Sequence, residues 1–383
     1  MLGRILKTEA VKEEILRLIR SKGLKQGDHV CSEKELMSLC EVSRITIRRA
    51  IARLSYEGIV FSVHGKGTFV GNKAGLQIPQ GRNGKTVEMV TPILYDAGMK
   101  EAWGTLAVMS EIENGIKKRA GYKLILSNTC CNASLEKKTI EDAISGSSSA
   151  IIFEPIPFTM LRLLEEHIGL LVRSGKPFVV SERLVPFEVD NVYEDDFYGS
   201  FLATSHLIEH GHRSILHINF SGEYLENRRK GYKSALMERG LTVNENLIYN
   251  GKIKHAGGMY LVKYDDFHNL GYRAVKETLR KGLKFSAIFA VNDNTAIGAM
   301  KALNENGLKV PDDVSIVGYD NLSESEKLNF TSVERQFIDM GKMISSVIVE
   351  KLERKDPAGA PVRIGIKPRL VERGSVGPRR TLV

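Results

Sequence analysis

Two groups of side chains in this 383-residue chain are spaced to do chemistry, and both suit recognition better than covalent catalysis. The first follows Ser43: Arg44, Thr46, Arg48 and Arg49. In the same segment Ile47, Ala50, Ile51 and Leu54 recur at i, i+3, i+4 and i+7, so a helix capped by Ser43 turns one apolar face inward and carries donors on its exposed first turns. Guanidinium and hydroxyl groups so placed reach base edges and phosphates. A run of three arginines alone is more often a solvated basic face, but its neighbours argue otherwise. Upstream, Ser32 and Glu35 make a capping box around Glu33 and Lys34. Downstream, FSVHGKGTFV reads as two β runs joined around Gly65, Lys66 and Gly67, with Thr68 following, a hairpin whose glycines let backbone approach a groove and whose lysine stands at the tip.

The second group closes a series of apolar runs. Glu154 follows AIIF, Glu182 and Arg183 follow PFVVS, Asn292 and Asp293 follow AIFAV, Asp320 follows VSIVGY, and Gln336 follows TSVER. In an open parallel sheet, ligands bind beyond the carboxyl ends of the strands. Paired donors and acceptors there suit the hydroxyls of a polyol ring, and Trp103 or Tyr95 could stack on its apolar face. Any one such residue more commonly caps a helix or turn.

The elements that would position these groups follow from the patterning. Residues 8–70 read as three helices and then two β runs. From residue 87 the runs VEMVTPIL, YKLILSN, AIIFEP, PFVVSE, SILHINF, AIFAVND and VSIVGYD alternate with amphipathic stretches such as Leu202, Leu207 and Ile208, or Ile297, Met300 and Leu303. That alternation predicts an α/β fold with a doubly wound, mostly parallel sheet, in two lobes. Residues 71–86 have linker composition, and 16 residues of flexible coil span about 20–24 Å. The expected division is therefore 1–70, a linker at 71–86, and 87–383.

Charge follows the same division. The net charge is +9. Residues 1–86 hold 16 Lys/Arg against 8 Asp/Glu, so +8 of it lies in the first quarter, where it can neutralise nucleic-acid phosphates. No window suits a membrane span, and the first residues, MLGRILKTEAVKEE, are charged where a signal peptide is apolar, so a cytoplasmic location is expected. The four cysteines form no CxxC pair, and His206, His210 and His212 lie on a helix and its end, where backbone is the expected partner. Neither a phosphate-binding GxxxxGK[ST] nor a GxSxG elbow is present. No catalytic residue, metal or cofactor is expected, and the chain is read as not an enzyme.

Ordered blocks make the reading specific. VCSEKEL, VSRITIRRA, LSYEGIV and GKGTFV together resemble the GntR-type winged helix-turn-helix domain over residues 9–70. The resemblance implies that Arg44, Thr46 and Arg48 enter the major groove of double-stranded operator DNA. It places Ser32, Lys34, Gly65, Lys66 and Gly67 on phosphates or the minor groove, with Glu33, Ser43, Arg49 and Thr68 in the same interface. Cys31 stands where that family usually has proline, and Glu41 where it has the glycine of the helix-helix turn.

SERLVPFEVDNV, HLIEHGHRSI, NRRKGY, AVNDNTAIGAM, KVPDDVSIVGYDN and PRLVERGS are similar to the LacI/GalR-type sensors, two-lobed and periplasmic-binding-protein-like. This second resemblance implies a homodimer and a small sugar effector, with Arg183, Arg228, Asp293 and Gln336 as contacts beside Trp103, Glu154, Asn292 and Asp320. Arg228, three residues before Gly231, could give two hydrogen bonds to neighbouring hydroxyls. The pairing of the two families implies L-arabinose or a related pentose as effector of a transcription repressor. Residues 250–268 are longer than the usual link.

Overall fold

The computed structural model describes residues 2–25, 27–44, 46–47, 50–51, 54, 59–63, 67–71, 85–92, 102–156, 160–220, 225–251, 264–353 and 360–379, with the side chains of 2–9, 61–63, 102–103 and 264–265 excepted. Arg48, Arg49, Gly65, Lys66 and Tyr95, and the side chain of Trp103, lie outside that description. The chain forms two compact units, residues 1–84 and 85–383.

The N-terminal unit contains α1 (Leu2–Ser21), β1 (His29–Cys31), α2 (Glu33–Cys40), helical positions 44, 46, 47, 50, 51 and 54, then β2 (Val60–Val63) and β3 (Gly67–Val70). The strands form an antiparallel sheet in the order β1-β3-β2, with Val63 opposite Gly67 at the hairpin. The three-residue β1 lies outside the two β runs expected from sequence. Ile47, Ala50, Ile51 and Leu54 are all buried and pack with Val11, Ile15 and Leu36, so the expected apolar face is the core of the unit. At the turn after α2, Glu41 adopts the left-handed conformation with φ 50° and ψ 41°. A non-glycine residue bears about 1 kcal/mol of strain there.

The second unit has two parallel sheets. One contains β4 (Thr86–Thr91), β5 (Lys123–Asn128), β6 (Ala150–Phe153), β7 (Phe178–Glu182), β8 (Asn191–Glu194) and β14 (Arg363–Ile366), in the order β14-β8-β7-β6-β4-β5. The other contains β9 (Ile215–Phe220), β10 (Ile248–Gly251), β11 (Ala287–Ala290), β12 (Ser315–Tyr319), β13 (Thr331–Glu334) and β15 (Arg369–Val371), in the order β10-β9-β11-β12-β13-β15. Only β15 runs antiparallel to its neighbour. Every apolar run expected to be a strand contains one. The expected linker ended at residue 86, but Thr86 already pairs with Lys123, because β4 carries its ladder past the first apolar residue.

Helices α3 (Ala102–Ala120), α4 (Ala133–Ser145), α5 (Leu161–Ser174) and α11 (Phe337–Glu353) cover the first sheet. Helices α6 (Asp196–Glu209), α7 (Glu226–Glu238), α8 (Tyr264–Arg280) and α9 (Asp293–Glu305) cover the second, and α10 (Ser323–Lys327) is a single turn between β12 and β13. Both faces of each sheet are therefore buried, as all-parallel strands require, and β6, β9, β11 and β12 are buried along their whole length. The chain passes between lobes three times, from β8 into α6, from β13 into α11 and from β14 into β15. These crossings hold the functional residues in place.

Candidate functional site

In the N-terminal unit the Ser32 side chain accepts from the Glu35 N–H at 3.2 Å while Glu35 accepts from the Ser32 N–H at 2.6 Å, closing the expected capping box. At the next helix Ser43 accepts weakly from the Thr46 N–H at 3.4 Å, and the two hydroxyls lie 3.0 Å apart. Arg44 is exposed and donates to the Glu33 carboxylate at 2.6 Å. Glu33 thus holds the Arg44 side chain at the start of the helix. Lys34 is exposed. Thr68 was expected in the interface, but its side chain is buried because it occupies the inward face of β3. Gly67 has φ 106°, and a Cβ there would collide with the His29 ring, so close packing of β1 on β3 also requires this glycine.

In the second unit the strand-end residues of the two lobes meet near the crossings. Glu154 follows β6 and accepts from the Thr91 hydroxyl at 2.6 Å. Burial, reinforced by the nearby charge of Glu182, pushes its carboxyl up to about 8. Glu182 ends β7 in a left-handed conformation, φ 71°. It accepts from Arg335 Nη2 at 2.6 Å, while Nε of the same guanidinium bonds Glu194 at the end of β8. Arg335 itself leaves β13 in the other lobe and stacks on Phe337 with its Cζ 4.5 Å from the ring centroid. Phe337 packs against the first turn of α3 at Gly104, which carries Trp103 on the preceding position.

Arg228, near the start of α7, is buried. Its Nε donates to Asp196 at 2.7 Å, its Nη1 donates to the Val291 carbonyl, and its guanidinium lies 3.6 Å from the Tyr319 ring centroid. The Tyr319 hydroxyl donates to Glu194 at 2.8 Å. Burial opposes the charge of Arg228, yet Asp196 and its acidic neighbours, Asp320 among them, keep it firmly protonated. Nε and one N–H of Nη1 are thus engaged within the protein, out of the five donors a guanidinium carries.

Asp293 is fully buried and accepts from Ser332 Oγ at 2.6 Å and the Leu322 N–H at 2.7 Å. Burial first, and then the charge of Asp320, raise its carboxyl well above the usual range. Asp320 is half-buried with φ 102°, and its charge acts on both Asp293 and Arg228. Asn292 caps α9 by accepting from the Thr295 N–H at 2.9 Å, the commoner fate of a strand-end polar residue. Gln336 turns back onto Glu334. Arg183 is 5% exposed and lines a cleft of about 890 Å³ between the lobes.

Arg335, Glu194, Asp196 and Tyr319 were not among the expected site residues. Arg335 and Tyr319 stood inside the runs TSVER and VSIVGY, one position from the residues singled out. Two of the three histidine rings meet backbone, His210 the His206 carbonyl at 2.9 Å and His212 the Gly377 carbonyl beside Ser286, while the His206 ring faces the Glu372 carboxylate at 3.9 Å. Among the described residues no group of His, Cys, Asp or Glu is arranged for a metal ion, and no helix is long and apolar enough to cross a membrane. All four cysteines are free thiols.

A reader with a capped, basic helix and a two-lobed unit with a polar cluster between its sheets define a DNA-binding transcription regulator with a ligand-sensing domain. The comparisons agree. Residues 7–70 match the family model of bacterial regulatory proteins, gntR family, and residues 204–376 match the periplasmic binding protein-like domain. The chain thus joins a gntR-family helix-turn-helix domain to a LacI-type periplasmic-binding-protein-like domain. It is 28% identical to an arabinose metabolism transcriptional repressor of Halalkalibacterium halodurans across 97% of this chain and 96% of that one. It is 26% identical to a protein of the same name from Geobacillus stearothermophilus, across 90% and 91%. In fold it is similar to a transcriptional regulator CelR-cellobiose complex, with a TM-score of 0.62 and 21% identity over 88% of this chain and 92% of that one. These relatives are regulators and not enzymes.

Proposed function

We propose that the chain is a homodimeric repressor that binds double-stranded operator DNA in the cytoplasm and releases it when L-arabinose or a related pentose occupies the cleft between its lobes. One observation carries this reading. Arg335 of one lobe bonds Glu182 and Glu194 of the other, Glu154 lies close enough to feel the charges of Glu182 and Arg335, and Tyr319 links Glu194 to the guanidinium of Arg228, so strand-end groups of both lobes form one polar network. Such a cluster suits polyol hydroxyls, and filling it biases lobe closure. The two arabinose repressors share the length of the chain and support the choice of sugar.

The reader follows from the exposed Arg44 and Lys34 and from Ser43 and Thr46 at the start of the basic helix, with Arg48, Arg49, Gly65 and Lys66 completing it. For the homodimer the support is β5, an edge strand with Ile125 and Leu126 39% and 45% exposed, in the same lobe as Leu106, 61% exposed. Exposed apolar edges call for a partner. A coupling of about 1–3 kcal/mol between sugar and operator is typical of such switches. Gel-shift titration of a cognate operator with a panel of pentoses tests the reading: release by one of them is expected, and indifference to all of them would sink the effector assignment.

A further inference from the structure

Tyr319 closes β12, its side chain is fully buried, and its surroundings come from all three crossings between the lobes. The hydroxyl donates to Glu194 at 2.8 Å and lies 3.4 Å from Asp196, the two acids that flank Asp195 where β8 passes into α6. Glu194 also accepts from Nε of Arg335, which stands where β13 passes into α11, so two crossings share one carboxylate. The third crossing, between β14 and β15, carries Pro368. A Cβ at Gly199 of α6 would collide with both the Tyr319 hydroxyl and the Pro368 ring, so this glycine leaves the gap that the two groups flank. The third crossing is also tied to the first, because the Asp195 N–H donates to the Ile366 carbonyl at 3.0 Å. Arg228 rests on the Tyr319 ring, with its guanidinium 3.6 Å from the centroid and its Nε on Asp196. Burial first, and then the charge of Glu194, hold the phenol well above its usual range, so the hydroxyl stays a donor.

We propose that Tyr319 is the positioning residue that couples the cleft to the lobes: effector engaging Arg228 displaces the guanidinium on the Tyr319 ring, and the hydroxyl passes that change to the crossings at Glu194 and Pro368. Packed interiors move between discrete arrangements rather than yielding gradually, so a small shift at Arg228 is carried through the ring instead of being absorbed around it. This inference rests on the sugar-sensing reading above, and the experiment keeps the two apart.

Gel-shift titration of the full chain would measure operator affinity without sugar and with saturating L-arabinose, D-xylose or D-ribose, first in the parent and then in Tyr319→Phe, which removes the hydroxyl and keeps the ring under Arg228. The ratio of the two affinities is the coupling, about 5- to 150-fold in such switches, and at saturation it does not depend on how tightly the sugar binds. In Tyr319→Phe the affinity without sugar should match the parent, while the ratio shrinks at least about threefold. Gly199→Ala, whose methyl displaces the hydroxyl, should shrink the ratio in the same direction. Hydrogen exchange gives a second readout: the sugar should protect the crossings at 194–196, 334–337 and 366–369 in the parent and fail to do so in Tyr319→Phe. A residue with a merely structural role would, when changed, lower the melting temperature and the sugar affinity and leave the saturated ratio where it was. That result, or a variant indistinguishable from the parent, overturns the coupling role and leaves the sugar-sensing reading standing. A parent chain whose operator affinity none of the three sugars alters removes the sugar-sensing reading, and this inference with it, before any variant is made.

Discussion

Arg335 leaves a strand of one lobe and donates to Glu182 at the end of a strand in the other, Nη2 to Oε2 at 2.6 Å. Both side chains are 19% exposed, so the pair is shielded enough to matter, and the same guanidinium holds Glu194 beside the first crossing. The lobes are joined here by charge as well as by chain.

Replacing that cation gives the first prediction. Arg335→Met leaves Glu182 and Glu194 without their donor, and the sensor unit should lose about 2–3 kcal/mol, less than a fully buried pair would. Urea unfolding of the full chain, followed in the second unit, reads this directly. A change within experimental scatter would mean that the acids find solvent instead.

Glu154 sets a pH dependence. Its carboxyl, normally near 4.5, is pushed up to about 8 by burial and by Glu182. Between those values the folded chain keeps a proton that the unfolded chain has released, so stability falls as pH rises through the window. Glu154→Gln keeps the Thr91 hydrogen bond without the charge. Its melting temperature should be flatter from acid to mildly alkaline pH and should exceed that of the parent near pH 8.

Glu41 offers a gain of stability. Held at φ 50°, it should be replaced favourably by glycine, with about 0.5–1 kcal/mol gained in the N-terminal unit. Ser32→Ala should cost about 1 kcal/mol in the same unit, because the Glu35 N–H loses its acceptor. Thermal unfolding of both variants should therefore shift in opposite directions.

Arg44 tests the reader. Its guanidinium is exposed and held by Glu33. If it reads a base, Arg44→Ala should cost about 1–3 kcal/mol on the cognate operator and relax specificity at one position. An equal loss on every sequence, with a shallower salt dependence, would reassign it to phosphate. Gel-shift titrations over a salt series distinguish the outcomes.

Sequence revealed these features unevenly, for reasons of range. The capping box at Ser32 and the buried face of Ile47, Ala50, Ile51 and Leu54 are local, and spacing alone specifies them. The long apolar strands were equally legible. Short or half-exposed strands such as β1, β8 and β14 carry too few apolar residues to stand out from turns. Strand-end position pointed to Glu154, Asp293 and Asp320 as polar groups following β6, β11 and β12. It could not show that Asn292 spends itself on a helix cap, or that Asp196, 32 residues before Arg228, occupies its Nε. Partners so distant in sequence leave no spacing to read.

The three crossings bear on how such a protein can change its ligand. Residues 85–194 with 337–366 build one half of the sensor, and residues 196–334 with 369–379 build the other. Neither half is a continuous stretch of gene. A recombination event, or a designed chimera, cannot graft one half alone with a single cut at each end, whereas the reader ends before residue 85 and can be exchanged as one block. New operators are thus open to the chain by shuffling, while a new effector must be reached by point substitution around the cleft or by replacing the whole sensor.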